Sequence, residues 1–183
     1  MRVKIIRHGE VDMPWKKKYT SQEYDQAWNV YDTRDILPIK RREELWANAK
    51  VYVTSFKRTQ QTAEQFLGAV KYTILDRLMD EVPICAFKNT LKAHRKRLYD
   101  IIGRIEWYLP WTRQPEHRKA TLKRCEELIA FLEEKGEDCI LVLHGFYMHA
   151  LIFYLSRHGY RLDKKKWVVH NLCTVVAEKE LSA

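Results

Sequence analysis

No stretch of this sequence is long enough and apolar enough to serve as a membrane span. The longest uninterrupted apolar runs are Cys139–Leu143 and Ala150–Leu155, against the roughly 18 residues a span requires. Met1–Ile6 is broken by Arg2 and Lys4 and leads into no cleavage-type site, so no secretory leader is expected. There is no C-x-x-C pair among Cys85, Cys125, Cys139 and Cys173, and no histidine interleaved with them at zinc spacing. Three of the four thiols fall at apolar-patterned positions, which suits buried cysteines in a reducing cytoplasm. Internal repeats and low-complexity linkers are missing too. What is present excludes disorder: 46% of the 183 residues are apolar and 12% are aromatic, enough to bury a core. The length fits one domain over 1–183.

Charge is abundant and uneven. The formal net charge is +9. The stretch from Leu91 to Arg124 holds ten basic and three acidic residues and so carries +7 of that excess. Such a field favours anionic partners, among which phosphorylated small molecules, nucleic acid and anionic lipid surfaces all fit. The same stretch also reads as two solvated basic helices.

Short β-rich runs alternate with helical periodicity. Strands are predicted at Val3–Ile6, Val51–Thr54, Tyr72–Leu75, Cys139–Leu143 and Leu172–Ala177. Helices are predicted near Ser21–Tyr31 with Ser21 as cap, and at Lys40–Ala49, Arg58–Val70, Lys92–Leu109, Glu116–Lys135 and Phe146–Ser156. Leu98, Ile101, Ile102, Ile105 and Leu109 form one stripe. The alternation predicts an α/β three-layer sandwich, with a mostly parallel central sheet covered by helices on both faces. In such folds ligands bind beyond the carboxyl ends of strands. His8 and His144 stand there, each followed by glycine, as Gly9 and Gly145. Arg157-His158-Gly159 repeats three of the letters but closes a helix, so Gly159 reads as a helix-terminating residue without a catalytic role.

Three segments carry the chemistry: Arg7-His8-Gly9-Glu10, Thr54-Ser55-Phe56-Lys57-Arg58 continuing through Gln61-Thr62-Ala63, and Leu143-His144-Gly145. Together they resemble the histidine phosphatase superfamily, also called the phosphoglycerate mutase-like family. The R-H-G-E motif matches fully, and in S-x-x-x-R-x-x-Q-T-A the serine position is occupied by Thr54. The likeness runs from Val3 to about Ala177. It implies His8 as nucleophile, Arg7 and Arg58 as phosphate-binding forks, and His144 as a further catalytic and phosphate-binding group. The chemistry agrees. Phosphoryl transfer needs a nucleophile, charge neutralisation on three oxygens and a proton for the leaving group. A neutral imidazole can attack if its other nitrogen donates to a carbonyl near Gly9, and planar guanidinium groups match phosphate oxygens bidentately. Gly9 is expected to let phosphate approach the backbone. Glu10 is expected to be structural, orienting an arginine, and Val11 stands where the family often has threonine.

The family places a glutamate acid in a stretch resembling L-x-E, here Leu78-Met79-Asp80-Glu81-Val82-Pro83. Strict spacing picks Asp80 and side-chain type picks Glu81. Glu81 is preferred for its longer stem and because Pro83 fixes the chain just beyond it. Lid-type insertions are expected near 11–38 and 83–118. No cofactor or metal is expected. The expected activity is metal-independent hydrolysis of phosphomonoesters, with a phosphorylated small molecule as partner, no membrane, and nucleic acid ranked below it. Alternatives are a phosphoglycerate-type mutase, for which the chain is short of a large closed lid, and a non-catalytic phosphate- or nucleic-acid-binding protein.

Overall fold

A computed structural model describes residues 1–68, 70–163 and 170–180. Strand β1 is Arg2–Arg7; β2, Lys18–Tyr19, leads into helix α1, Ser21–Thr33; β3 is Lys50–Val53. Helix α2, Lys57–Thr62, widens into a π-helical stretch over Ala63–Gly68, and β4 is Tyr72–Ile74. Strand β5, His94–Arg95, runs into α3, Lys96–Glu106, and α4 covers Arg118–Lys135. Then come β6 (Cys139–Leu143), α5 (Gly145–Arg157), β7 (Arg161–Leu162) and β8 (Thr174–Glu178).

Among the described residues, six strands form one sheet in the order β4-β3-β6-β1-β8-β7. The first four are mutually parallel, β8 runs antiparallel to β1, and β7 runs antiparallel to β8, so the mostly parallel α/β arrangement read from the alternation is the one observed. Alternation along the strands sets the layers. Val3 and Ile5 of β1 and Leu141 and Leu143 of β6 face a core shared with Cys125, Leu128 and Leu132 of α4 and Leu151 of α5. Ile6, Ile140 and Val142 face the opposite core, with Ala63, Phe66 and Leu67. A third cluster unites Tyr24 of α1 with Ala86 and Tyr99 of α3. Strands β2 and β5 pair as a two-stranded ribbon, Lys18 opposite Arg95, which ties the chain just before α1 to the chain just before α3.

Several local expectations change. The cap of α1 is Thr20, whose hydroxyl accepts from the Glu23 N–H while the Glu23 carboxylate returns to the Thr20 N–H. Ser21 instead bonds the Lys88 carbonyl and the Thr90 N–H. Lys40–Ala49 is not helical. Its backbone is spent on other partners: the Glu43 N–H donates to the Phe66 carbonyl and the Glu44 carbonyl accepts from buried Lys4, whose ammonium also lies 4.7 Å from the Trp46 ring. The predicted helix Arg58–Val70 ends at Gly68, where φ is +82°; position 69 lies outside the described residues. Helix α3 starts four residues later than predicted because His94 and Arg95 belong to the ribbon. The α3 stripe faces outward: Tyr99 and Gly103 are buried, whereas Leu98, Ile101 and Ile105 are exposed. Cys125 and Cys139 are buried, Cys85 and Cys173 half-buried. Helix α5 closes as expected, with Gly159 at φ +82°.

Gly103 is needed for the approach of α3 to the strap beneath it. A Cβ there would sit 2.8 Å from Cγ1 of Ile84. Valine would recover only a few tenths of a kcal/mol of helix propensity over glycine, against about 1–3 kcal/mol for overpacking. Gly103→Val is therefore expected to lower the stability measured by urea denaturation. An unchanged midpoint would show that Ile84 swings clear.

Candidate active site

The sheet register builds the centre of the site. Arg7 of β1 pairs with Leu143 of β6, so the next residues, His8 and His144, leave adjacent parallel strands side by side. The His8 N–H donates to the Leu143 carbonyl at 2.9 Å. The two rings lie 5.3 Å apart, tilted by 58°. From the next strand over, β3 delivers Thr54, and the first turn of α2 delivers Arg58. His8, Arg58, Thr54 and His144 are all buried.

Hydrogen bonding assigns the tautomers. Nδ1 of His8 lies 2.7 Å from the Gly9 carbonyl, which cannot donate, so Nδ1 carries the proton and Nε2 keeps its lone pair. Nε of Arg58 donates to Nδ1 of His144 at 3.1 Å, so that ring is protonated on Nε2, which donates to Oγ1 of Thr54 at 3.0 Å. Oγ1 of Thr54 passes its own proton to Oγ1 of Thr59, which donates to the Phe56 carbonyl. Burial, then the Arg58 and Arg7 charges, pull the His8 pKa down to about 3, while its bond to Gly9 pulls the other way. Burial and the same arginines hold His144 well below the ordinary histidine value. Both imidazoles are therefore neutral at pH 7. For His144 to serve as a cationic phosphate donor, added negative charge is needed beside it.

Two glycines admit this packing. At Gly145 a Cβ would sit 2.9 Å from Nε of Arg7, so the start of α5 leaves room for that guanidinium. At Gly9 a Cβ would press Ile36 and Ile39, at 3.1 and 3.3 Å, so the space at Gly9 is taken by these side chains rather than kept for an oxyanion. The Gly9 N–H donates to Oγ1 of Thr62, the threonine of the Gln61-Thr62-Ala63 motif. Glu10 is exposed and its carbonyl accepts from the Leu37 N–H, while Val11 is buried and bridges to Ile36.

Glu81 and Asp80 part ways. Glu81 lines a cavity of about 350 Å³ that also touches Asp32, Phe56 and Arg104. Its carboxylate accepts the N–H groups of Phe146 and Tyr147, serving as a cap for α5 from a distant segment. Asp80 accepts from the Arg77 N–H in its own turn.

Sequence reasoning missed Asp32 and Arg104. Nη1 of Arg58 donates to Oδ1 of Asp32 at 2.8 Å. Burial raises the Asp32 pKa, the Arg58 charge opposes this, and Glu81 adds to it. Arg104 reaches the cavity from α3, donating to the Val82 carbonyl and stacking 4.0 Å over Phe146. No local motif marks either residue, because each arrives from a segment whose pattern reads as surface.

The chain matches the family model described as histidine phosphatase superfamily (branch 1) over residues 3–180. No curated protein matches it significantly. Similar solved structures include a phosphoglycerate mutase from Bacillus anthracis str. Sterne, 15% identical, covering 96% of this chain and 86% of that one, with a TM-score of 0.54. A phosphoserine phosphatase from Entamoeba histolytica is 16% identical over 85% and 80% of the chains, with a TM-score of 0.53. An alpha-ribazole phosphatase from Shigella flexneri is 20% identical over 94% and 96%, with a TM-score of 0.50. At these identities the likeness is one of fold.

The depressed His8 pKa has a signed consequence for stability. The unfolded ring binds a proton near pH 6.5, the folded ring only near 3. Below about pH 6.5 the unfolded state binds more protons, so stability falls with pH until the native ring itself is protonated. Between about pH 7.5 and 4.5 the urea midpoint is expected to drop in the wild type and less steeply in His8→Asn. Equal slopes would contradict the assignment.

Proposed function

We propose, from the premise that this chain belongs to the histidine phosphatase superfamily, that it is a phosphatase hydrolysing phosphomonoesters through a phosphohistidine at His8. The observation that carries the reading is the tautomer of His8: with Nδ1–H committed to the Gly9 carbonyl, the nucleophilic lone pair sits on Nε2, in a ring kept neutral beside two guanidinium groups.

Hydrolysis takes two displacements at phosphorus. A phosphomonoester dianion is held by Arg7 and Arg58, whose fixed positive charges neutralise its oxygens. Nε2 of His8 attacks phosphorus in line, the bond to the leaving oxygen breaks, and that oxygen takes its electron pair and a proton from Glu81. A water then attacks the phosphoryl group, giving its proton to the Glu81 carboxylate as the P–N bond breaks, and inorganic phosphate departs. The dianion also supplies the negative charge under which His144 takes up a proton and adds a donor. The guanidinium groups supply the positive charge that phosphoryl transfer requires, so no step calls for a metal.

An aryl phosphate is expected to be hydrolysed in the presence of a chelator, with inorganic phosphate and vanadate competing. Radiolabelled substrate followed by alkaline quench is expected to leave label on the wild type and none on His8→Asn. Turnover that requires a divalent cation, or label retained by the variant, would contradict the scheme. Glu81→Gln is expected to slow esters with poor leaving groups by about 10²–10⁴-fold and activated aryl esters much less. The same leaving-group dependence in Asp80→Asn or Asp32→Asn, in place of Glu81→Gln, would move the proton to that carboxyl. Transfer of the label to an added phosphoglycerate faster than to water would make the protein a mutase.

A further inference from the structure

We infer that the outward face of α3, with the loops at its two ends, docks the protein onto the surface of an anionic phospholipid bilayer. This goes beyond the proposed hydrolysis and does not depend on it.

The apolar stripe of α3 has the spacing of a buried helix face, yet it points away from the protein. Leu98, Ile101 and Ile105 are 41%, 47% and 56% exposed. Leu91 before the helix and Trp111 after it are each 93% exposed. Large apolar side chains gathered on one side of a helix and left in water mark an interaction surface.

Charge selects the occupant. The three acidic residues of the basic stretch are all engaged: Asp100 with Lys96 and Tyr24, Glu106 with Gln114, and Glu116 with Arg124 and Thr121. All three are half-buried, whereas Lys92, Arg95, Arg97, Arg113 and Lys119 are exposed. The ribbon adds Lys18 directly opposite Arg95. A second copy docked face to face would set this positive field against itself. A polynucleotide would take the charge but has no use for an aliphatic stripe. An anionic bilayer takes both, with the stripe entering the headgroup–acyl boundary while the basic groups remain among phosphates. Trp111 is of the type enriched at that depth. No helix among the described residues is long and apolar enough to cross a membrane. Interfacial docking needs no span. The inward side of the same helix, through Gly103 and Arg104, packs on Ile84 and Val82 in the cavity wall, so the docked protein would hold its candidate active site beside the bilayer.

The test is cosedimentation of the full chain with vesicles of phosphatidylcholine alone and of equal parts phosphatidylcholine and phosphatidylglycerol. Binding is expected to the second only and to weaken with added salt. Two double variants, Ile101→Asp with Ile105→Asp and Lys92→Glu with Arg97→Glu, are each expected to cut the partition coefficient about tenfold or more. All four sites are exposed, so both proteins should keep the wild-type circular dichroism and turnover of a soluble aryl phosphate. No binding to either vesicle, or equal binding to both, would overturn the proposal. A dimer in light scattering that the isoleucine variant dissolves would assign the face to a second copy instead. Polynucleotide binding lost in the charge variant, without vesicle binding, would assign it to nucleic acid.

Discussion

Two neutral imidazoles buried side by side against fixed guanidinium groups set the terms for the rest of the molecule. Protonation of either buried ring would place like charges together, so both rings remain neutral, and the hydrogen bonds around them decide which nitrogen carries the proton. One carbonyl fixes His8, and Arg58 with Thr54 fixes His144. The parallel pairing of β1 with β6 brings the rings together, and β3 with α2 brings the arginine. Gly145 keeps the helix start clear of Arg7, and Thr62 ties the loop after His8 to α2.

This electrostatic arrangement favours an anion as ligand. Among the described residues, buried Arg58 has one ionic partner, the half-exposed carboxylate of Asp32, and Arg7 lies against the same rings. A tetrahedral dianion between them would compensate the positive charge and lift the penalty on a protonated His144. Under the proposed mechanism, the cavity beside Arg58, walled by Asp32, Phe56, Glu81 and Arg104, would receive the remainder of the substrate.

Much of this was legible in the residues, for physical reasons that differ by element. Helix α4 shows the burial its spacing implies, with Thr121, Cys125, Leu128, Ile129 and Leu132 inside and Gly136 closing it in the left-handed region, because one face of a helix packed on a sheet has few alternatives. His8 and His144 were legible because a strand end followed by glycine is a local pattern. Lys40–Ala49 was misread because periodicity cannot see a backbone bonded to Phe66 and to a buried lysine. The α3 stripe was legible as a helix but not in its direction, since spacing records which residues share a face and not what lies opposite. Asp32 and Arg104 depend on distant segments converging. The choice between Asp80 and Glu81 turned on which neighbouring carboxyl faces the cavity, which one residue of spacing cannot decide.

The proposed chemistry requires a neutral His8, with its proton on Nδ1 and a bare Nε2. Nitrogen-15 NMR of the histidine-labelled protein reads this directly. The expected spectrum shows one protonated and one unprotonated ring nitrogen at His8, a pattern that holds from neutral pH down to at least about pH 5. Titration of that ring near the ordinary histidine value, or a proton found on Nε2, would contradict it.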